Sequence, residues 1–223
     1  MDLLHTAHVP AGPGPFPTIV ALHGWGANAH DLLGLAPLFH GGQALVLCPE
    51  GPLAFEIAPG YPPGHGWFPL SGGGGLDPME FRKGVAALQA FLDEALTHYP
   101  VDRRKVVLLG FSQGGVMAYD LALRDPSRFA GLVAISSWLP RPLSDAIPRL
   151  PEHEGFPVLV QHGTRDEMIG VERGRESREL LLARGVSLAY REYEMGHEIR
   201  PESLRDLVSW LEEKVLSPIK LAL

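Results

Sequence analysis

A single cysteine, Cys48, stands among 223 residues, so no internal disulfide can form and a reducing compartment is expected. Basic residues are outnumbered: 19 Lys and Arg against 26 Asp and Glu leave a net charge of −7, which argues against nucleic acid or an anionic lipid surface as partner. No apolar run approaches the ~18 residues that a membrane span requires. The N-terminal "MDLLHTAHVPAGPGP" carries neither the basic nor the apolar segment of a signal peptide, so a cytoplasmic location is the expectation. HExxH and phosphate-loop patterns are absent and only one thiolate is available, so neither metal nor cofactor is expected.

Glycine and proline, by contrast, are plentiful at 26 and 21, dispersed without a repeat period, which implies many turns. Hydrophobic residues make up 45 % and charged residues 20 %, a balance that suits one globular domain over 1–223. Apolar runs at 17–24, 44–50, 105–110, 129–136 and 156–163 read as strands, and their continuous rather than alternating character suits strands covered on both faces. A sixth, 186–195, alternates more and suits a sheet edge. Helical patterns at 30–39, 77–98, 114–124, 172–184 and 201–214 lie between them. Such alternation predicts an α/β fold with a mainly parallel sheet and helices on both faces. Two long Pro-rich loops, 51–75 and 138–155, interrupt the pattern, and loops of that length tend to serve function.

Residues 110–115, "GFSQGG", raise the question of a reactive serine. Composition alone would produce about 0.15 G-x-S-x-G matches in this chain, so the motif by itself is suggestive only. Its setting is more telling, because it follows a predicted strand and opens a predicted helix. Gly110 and Gly114 leave room for a sharp turn, and the N–H groups at the helix start favour negative charge beside Ser112. The competing reading is a glycine-rich turn in which Ser112 merely caps the helix.

A serine hydroxyl needs a base, usually a histidine oriented by an acid, and on this fold the chain order is serine, acid, histidine. Only His153, His162 and His197 follow Ser112. Asp166, in the loop after the strand that ends at Gly163, is the preferred acid, with Glu152, Glu154, Glu167, Glu192 and Glu194 as competitors. His197, in "EMGHEI", is then the sole histidine after it. Oxyanion donors are expected from the backbone N–H of Gln113 and from that of Trp25 in "HGWGAN". His23 in that loop reads as a buried, hydrogen-bonded structural residue. For Gln113, the backbone N–H is expected to matter more than the side chain.

Together "LHGWG", "GFSQGG", "SSWLP" (136–140), "VLVQHGTRDEMI" (158–169) and "YEMGHEI" (193–199) resemble the phospholipase/carboxylesterase family of α/β-hydrolases, which includes the acyl-protein thioesterases. The resemblance spans about 17–214. It implies an α/β-hydrolase fold without a large lid, Ser112 as nucleophile, Asp166 as orienting acid and His197 as base. By the same match the N–H groups of Trp25 and Gln113 would form the oxyanion hole. Where relatives often carry Trp-Phe-Asp, this chain reads "WFP" (67–69), followed by the glycine run 72–75, a departure that bears on chain-length preference. The expected activity is hydrolysis of carboxylic esters, thioesters included, with a small-molecule or lipid-like ester as substrate. Trp67, Phe68, Met168 and Ile169 are candidate substrate-pocket residues. The alternatives are a lysophospholipase or acyl-protein thioesterase with the same machinery, or a binding protein on a hydrolase fold. Oligomeric state is left open, a homodimer included.

Overall fold

The computed structural model describes residues 2–70 and 76–216; the glycine run 72–75 and residues 217–223 of the expected domain lie outside them. Seven strands form one sheet: β1 (His5–His8), β2 (Phe16–Leu22), β3 (Leu45–Pro49), β6 (Val101–Phe111), β7 (Gly131–Ile135), β8 (Pro157–Gly163) and β9 (Ser187–Tyr193). Their spatial order is β1-β3-β2-β6-β7-β8-β9. All neighbours run parallel except the edge strand β1, which pairs antiparallel to β3. As its alternation predicts, β9 closes the opposite edge.

The inner strands carry continuous apolar runs, such as Ile19–Leu22, Val106–Leu109 and Val158–Val160, where both faces are covered. In β2, Val20 and Leu22 face one core while Ile19 and Ala21 face the other; in β6, Val106 and Leu108 alternate in the same way with Val107 and Leu109. The first core is completed by α1 (Pro78–His98), α2 (Gln113–Arg124) and α4 (Val171–Leu182). The second is completed by a 3-10 stretch, Leu33–Gly42, and by α5 (Pro201–Leu211). The short helix α3 (Arg141–Ala146) sits in the loop after β7. None of the described helices is long and apolar enough to cross a membrane.

Local chemistry sets the helix starts. Asp77 caps α1, its carboxylate accepting from the N–H groups of Met79 at 2.8 Å and Glu80 at 3.1 Å, with Pro78 in the first turn. The predicted helix at 30–39 is instead 3-10, shifted to Leu33–Gly42, with Pro37 inside it and non-helical backbone at Phe39, His40 and Gly41. Two features of the first 70 residues were not expected: the strand β1, and a small antiparallel ribbon of β4 (Leu53–Phe55) and β5 (Gly64–Gly66) within the 51–75 loop. Both are short, and "HTAH" and "GHG" hold few of the apolar residues that announce a strand.

The strand order turns back between β2 and β6: the chain leaves β2 outward to β3 and returns on the other side to β6. The loops at the carboxyl ends of these two strands therefore diverge, and a crevice opens between them. One carries Trp25; the other carries Ser112.

Candidate active site

Ser112 joins β6 to α2 at φ 52° and ψ −118°, a left-handed conformation that a side-chain-bearing residue adopts only under constraint. The constraint is close packing. A Cβ on Gly110 would lie 2.3 Å from the carbonyl oxygen of Gly114, and one on Gly114 would lie 2.1 Å from that of Leu22. Neither position admits a side chain, which is the physical content of G-x-S-x-G. The Ser112 hydroxyl makes no capping bond to α2, so the capping reading does not hold. Its backbone is pinned instead, N–H to the carbonyl of Ile135 at 2.9 Å.

Asp166 lies in the loop after β8, only 6 % exposed. That loop is tied to the end of β9: Thr164 N–H bonds the Tyr193 carbonyl at 2.8 Å and Arg165 N–H the Met195 carbonyl at 3.0 Å. One carboxylate oxygen of Asp166 accepts from the N–H groups of Met168 at 3.0 Å and Ile169 at 2.8 Å. The other faces His197 Nδ1 at 2.8 Å. A carboxylate can only accept, so Nδ1 carries the proton and Nε2 is the free, basic nitrogen. None of the competing carboxylates has this geometry: Glu192 pairs with Arg175, Glu194 with Arg165, and Glu152, Glu154 and Glu167 are exposed. His162 also approaches Asp166, with Nε2 at 3.6 Å, but it donates to the carbonyl of Ile169 at 2.7 Å.

Ser112 and His197 line one cavity of 460 Å³, together with Trp25, Gln113, Met168 and Ile169. The imidazole of His197 packs against the ring of Phe111, centroids 4.9 Å apart. In the loop after β2, Gly26 N–H bonds the His65 carbonyl at 2.8 Å, which anchors this loop to β5. Among the described residues, the N–H groups of Trp25 and Gln113 have no protein acceptor. The Trp25 ring stacks on Phe55 of β4, centroids 4.2 Å apart and tilted by 16°.

Trp67 and Phe68 do not line the cavity; each is 1 % exposed and belongs to the core. Their role is to fasten the loop. Trp67 N–H donates to Gln113 Oε1 at 2.8 Å, Gln113 Nε2 donates to the Phe68 carbonyl at 2.7 Å, and the Trp67 indole donates to the His23 carbonyl at 2.9 Å. The Gln113 side chain is thus a structural bridge between α2 and the 51–70 segment, beyond the backbone role expected of it. His23 is buried and doubly bonded, donating from Nδ1 to the Gly24 carbonyl at 2.7 Å and accepting at Nε2 from Gly51 N–H at 2.9 Å. Burial holds its pKa below the usual value, against the opposing pull of the Gly24 carbonyl, Asp31 and Glu50.

Leu70, Phe111, Trp138 and Arg173 also line the cavity, and sequence reasoning did not single them out. For Trp138 a signal was present, since "SSWLP" was among the blocks carrying the family resemblance. Arg173 stands in an ordinary charged helix and offered none.

Residues 9–215 match the family described as Phospholipase/Carboxylesterase. An acyl-protein thioesterase 1 from Gibberella zeae is 28 % identical over 224 residues, covering 92 % of this chain and 94 % of the relative. A carboxylesterase structure from Bacillus cereus superposes with a TM-score of 0.81 at 23 % identity, covering 96 % of this chain and 95 % of the other, a likeness of fold. Acyl-protein thioesterase 2 from Zea mays superposes with a TM-score of 0.73 at 26 % identity, over 95 % and 99 % of the two chains. With the family matched over nearly its whole length on an α/β-hydrolase fold, this chain belongs to the phospholipase/carboxylesterase family.

Proposed function

We propose that this protein is a serine carboxylesterase that works through an acyl-enzyme on Ser112, with His197 as general base and acid and Asp166 as its orienting partner. Family membership supports the coarser statement, an esterase or thioesterase of the α/β-hydrolase fold acting on ester bonds. The observation that carries the finer one is the 2.8 Å bond from His197 Nδ1 to a buried, doubly backbone-bonded Asp166, in a cavity that Ser112 shares with His197.

The chemistry follows from these positions. His197 Nε2 takes the Ser112 proton as Oγ attacks the ester carbonyl, and the Asp166 carboxylate stabilises the imidazolium that forms. The carbonyl oxygen becomes an oxyanion, which the free N–H groups of Trp25 and Gln113 and the start of α2 would hold. His197 then protonates the departing alcohol. A water molecule, deprotonated in turn by His197, attacks the acyl-enzyme and releases the acid. The chain carries Ser112, His197 and Asp166 in the order and setting this reading requires, which disfavours a binding protein without activity.

Labelling with a serine-directed fluorophosphonate, read by peptide mass, tests the assignment. The adduct is expected on Ser112 alone; an adduct elsewhere, or none, refutes it. A thioester substrate would use the same groups, and the thioesterase named among the relatives favours measuring an oxygen ester and its thioester analogue side by side.

A further inference from the structure

The reaction cavity does not end at His197. A second cavity of 630 Å³ adjoins it, and Trp138 and Arg173 line both. Its walls are mostly apolar, with Leu76, Phe81, Leu139 and Leu143 among them. Three arginines border it, and two have carboxylate partners. Arg82 forms a two-pronged pair with Asp120, both contacts at 3.0 Å, sharing that carboxylate with Arg124 at 2.8 Å, and Arg141 pairs with Glu176 at 3.1 Å.

Arg173 has no anionic partner among the described residues. Its guanidinium lies over the ring of Trp138, 5.6 Å from the centroid, which fixes it at the junction of the two cavities. Its position along the chain is also costly. Arg173 falls in the first turn of α4, where the helix dipole opposes a cation, and the neighbouring Glu172 is engaged by Arg175 at 2.6 Å. Arg173 is exposed to solvent, yet it lines both cavities with no anionic partner among the described residues, so its guanidinium is open to an anion that enters them. The reaction cavity's acidic residue, Asp31, borders a third, smaller cavity that it shares with Phe111, on the side of the site that Arg173 does not line. The charge is therefore polarised along the cavity, positive towards the apolar groove.

We propose that Arg173 selects esters whose acyl arm ends in a carboxylate, the chain running from Ser112 over Trp138 into the groove: half-esters of dicarboxylic acids. This rests on the hydrolase reading above. The acyl arm is assigned to the groove because it stays bound through both steps, whereas the alcohol must leave after the first. A planar guanidinium suits a carboxylate through two parallel hydrogen bonds, and the apolar walls suit the methylene chain.

The test compares p-nitrophenyl hexanoate with mono-p-nitrophenyl half-esters of four to ten carbons. In the wild type, kcat/KM for the best half-ester is expected to exceed that for hexanoate at least tenfold, with the margin shrinking as salt is raised. Arg173→Gln should cut this ratio at least tenfold, and Arg173→Lys should restore part of it. An unchanged ratio in Arg173→Gln, or no half-ester preference in the wild type, overturns the proposal while leaving hydrolysis at Ser112 intact. Titration calorimetry of sebacate against the intact protein gives a readout free of turnover. Binding that weakens at least tenfold in Arg173→Gln supports the anion site even if hydrolysis fails; equal binding in both, or none, overturns it.

Discussion

The side-chain oxygen of Gln113 holds the backbone N–H of Trp67 at 2.8 Å, across 46 residues of sequence and inside the core. With the return bond from Gln113 Nε2 to the Phe68 carbonyl, it makes the residue after the candidate nucleophile the anchor of the 51–70 segment. Gln113→Ala would orphan a buried N–H and a buried carbonyl, at about 1–3 kcal/mol each. A loss of about 2–6 kcal/mol in denaturant unfolding is expected. Gln113→Glu keeps the acceptor for Trp67 but sets a carboxylate oxygen against the Phe68 carbonyl, so it should be no better than Ala. Wild-type stability in either variant would show that this bridge is dispensable.

Asp166 offers a sharper separation of catalysis from folding. Asp166→Asn keeps an oxygen for Met168 and Ile169 N–H but presents an amide to His197, which favours the wrong imidazole tautomer. Hydrolysis of an activated ester should fall by about 10³–10⁴-fold, as it does when a triad acid is neutralised elsewhere. Asp166→Ala should match that loss and also lower stability, because two backbone donors lose their acceptor. If Asn retained activity within tenfold, the orienting role of Asp166 would be refuted.

The sheet was legible because strands buried on both faces favour continuous apolar runs, as in "VVLL" and "VLV". Ser112, Asp166 and His197 could be nominated from the sequence because fold and chain order allow few choices, and the structure brings Asp166 and His197 into contact. The ribbon at 53–55 and 64–66 was hidden: it is short, and "GHG" gains its strand geometry only by pairing with Leu53–Phe55. Trp67 and Phe68 were read as pocket residues because aromatic side chains beside an active site suit either role. The buried Gln113 that claims their backbone could be recognised only in three dimensions. Arg173 was hidden for the opposite reason. Its distinction is the lack of an anionic partner among the described residues, and sequence does not report partners.

Cys48 should be chemically silent in the native protein. It lies in β3 opposite Thr6 of the edge strand β1, 2 % exposed, and burial pushes its thiol up to about 12. Since the thiolate is the reactive form, a disulfide reagent at pH 8 should find almost none. One equivalent should react once guanidinium unfolds the chain. Stoichiometric reaction of the folded protein within minutes would mean that β1 peels away from β3, contrary to the pairing His5–His8 shows with Val46–Pro49.

His23 should make the fold sensitive to mild acid. Its pKa in the folded state is lowered by burial, so the unfolded chain, with an ordinary histidine near ~6.5, takes up a proton at a higher pH than the native protein does. The stability contributed by the neutral, doubly bonded ring is complete above that value and declines as pH falls through it, by at most about 1.4 kcal/mol per pH unit. Glu192, held below the usual carboxylate range by the Arg175 guanidinium, adds its own loss only below about pH 4.3. The window from pH 7.5 to 5 therefore isolates histidine. Denaturant midpoints should fall across it in the wild type, and His23→Gln, uncharged at every pH, should show a shallower slope even if it is less stable at pH 7.5. Equal slopes in the two proteins would show that His23 becomes protonated as readily in the folded state as in the unfolded one.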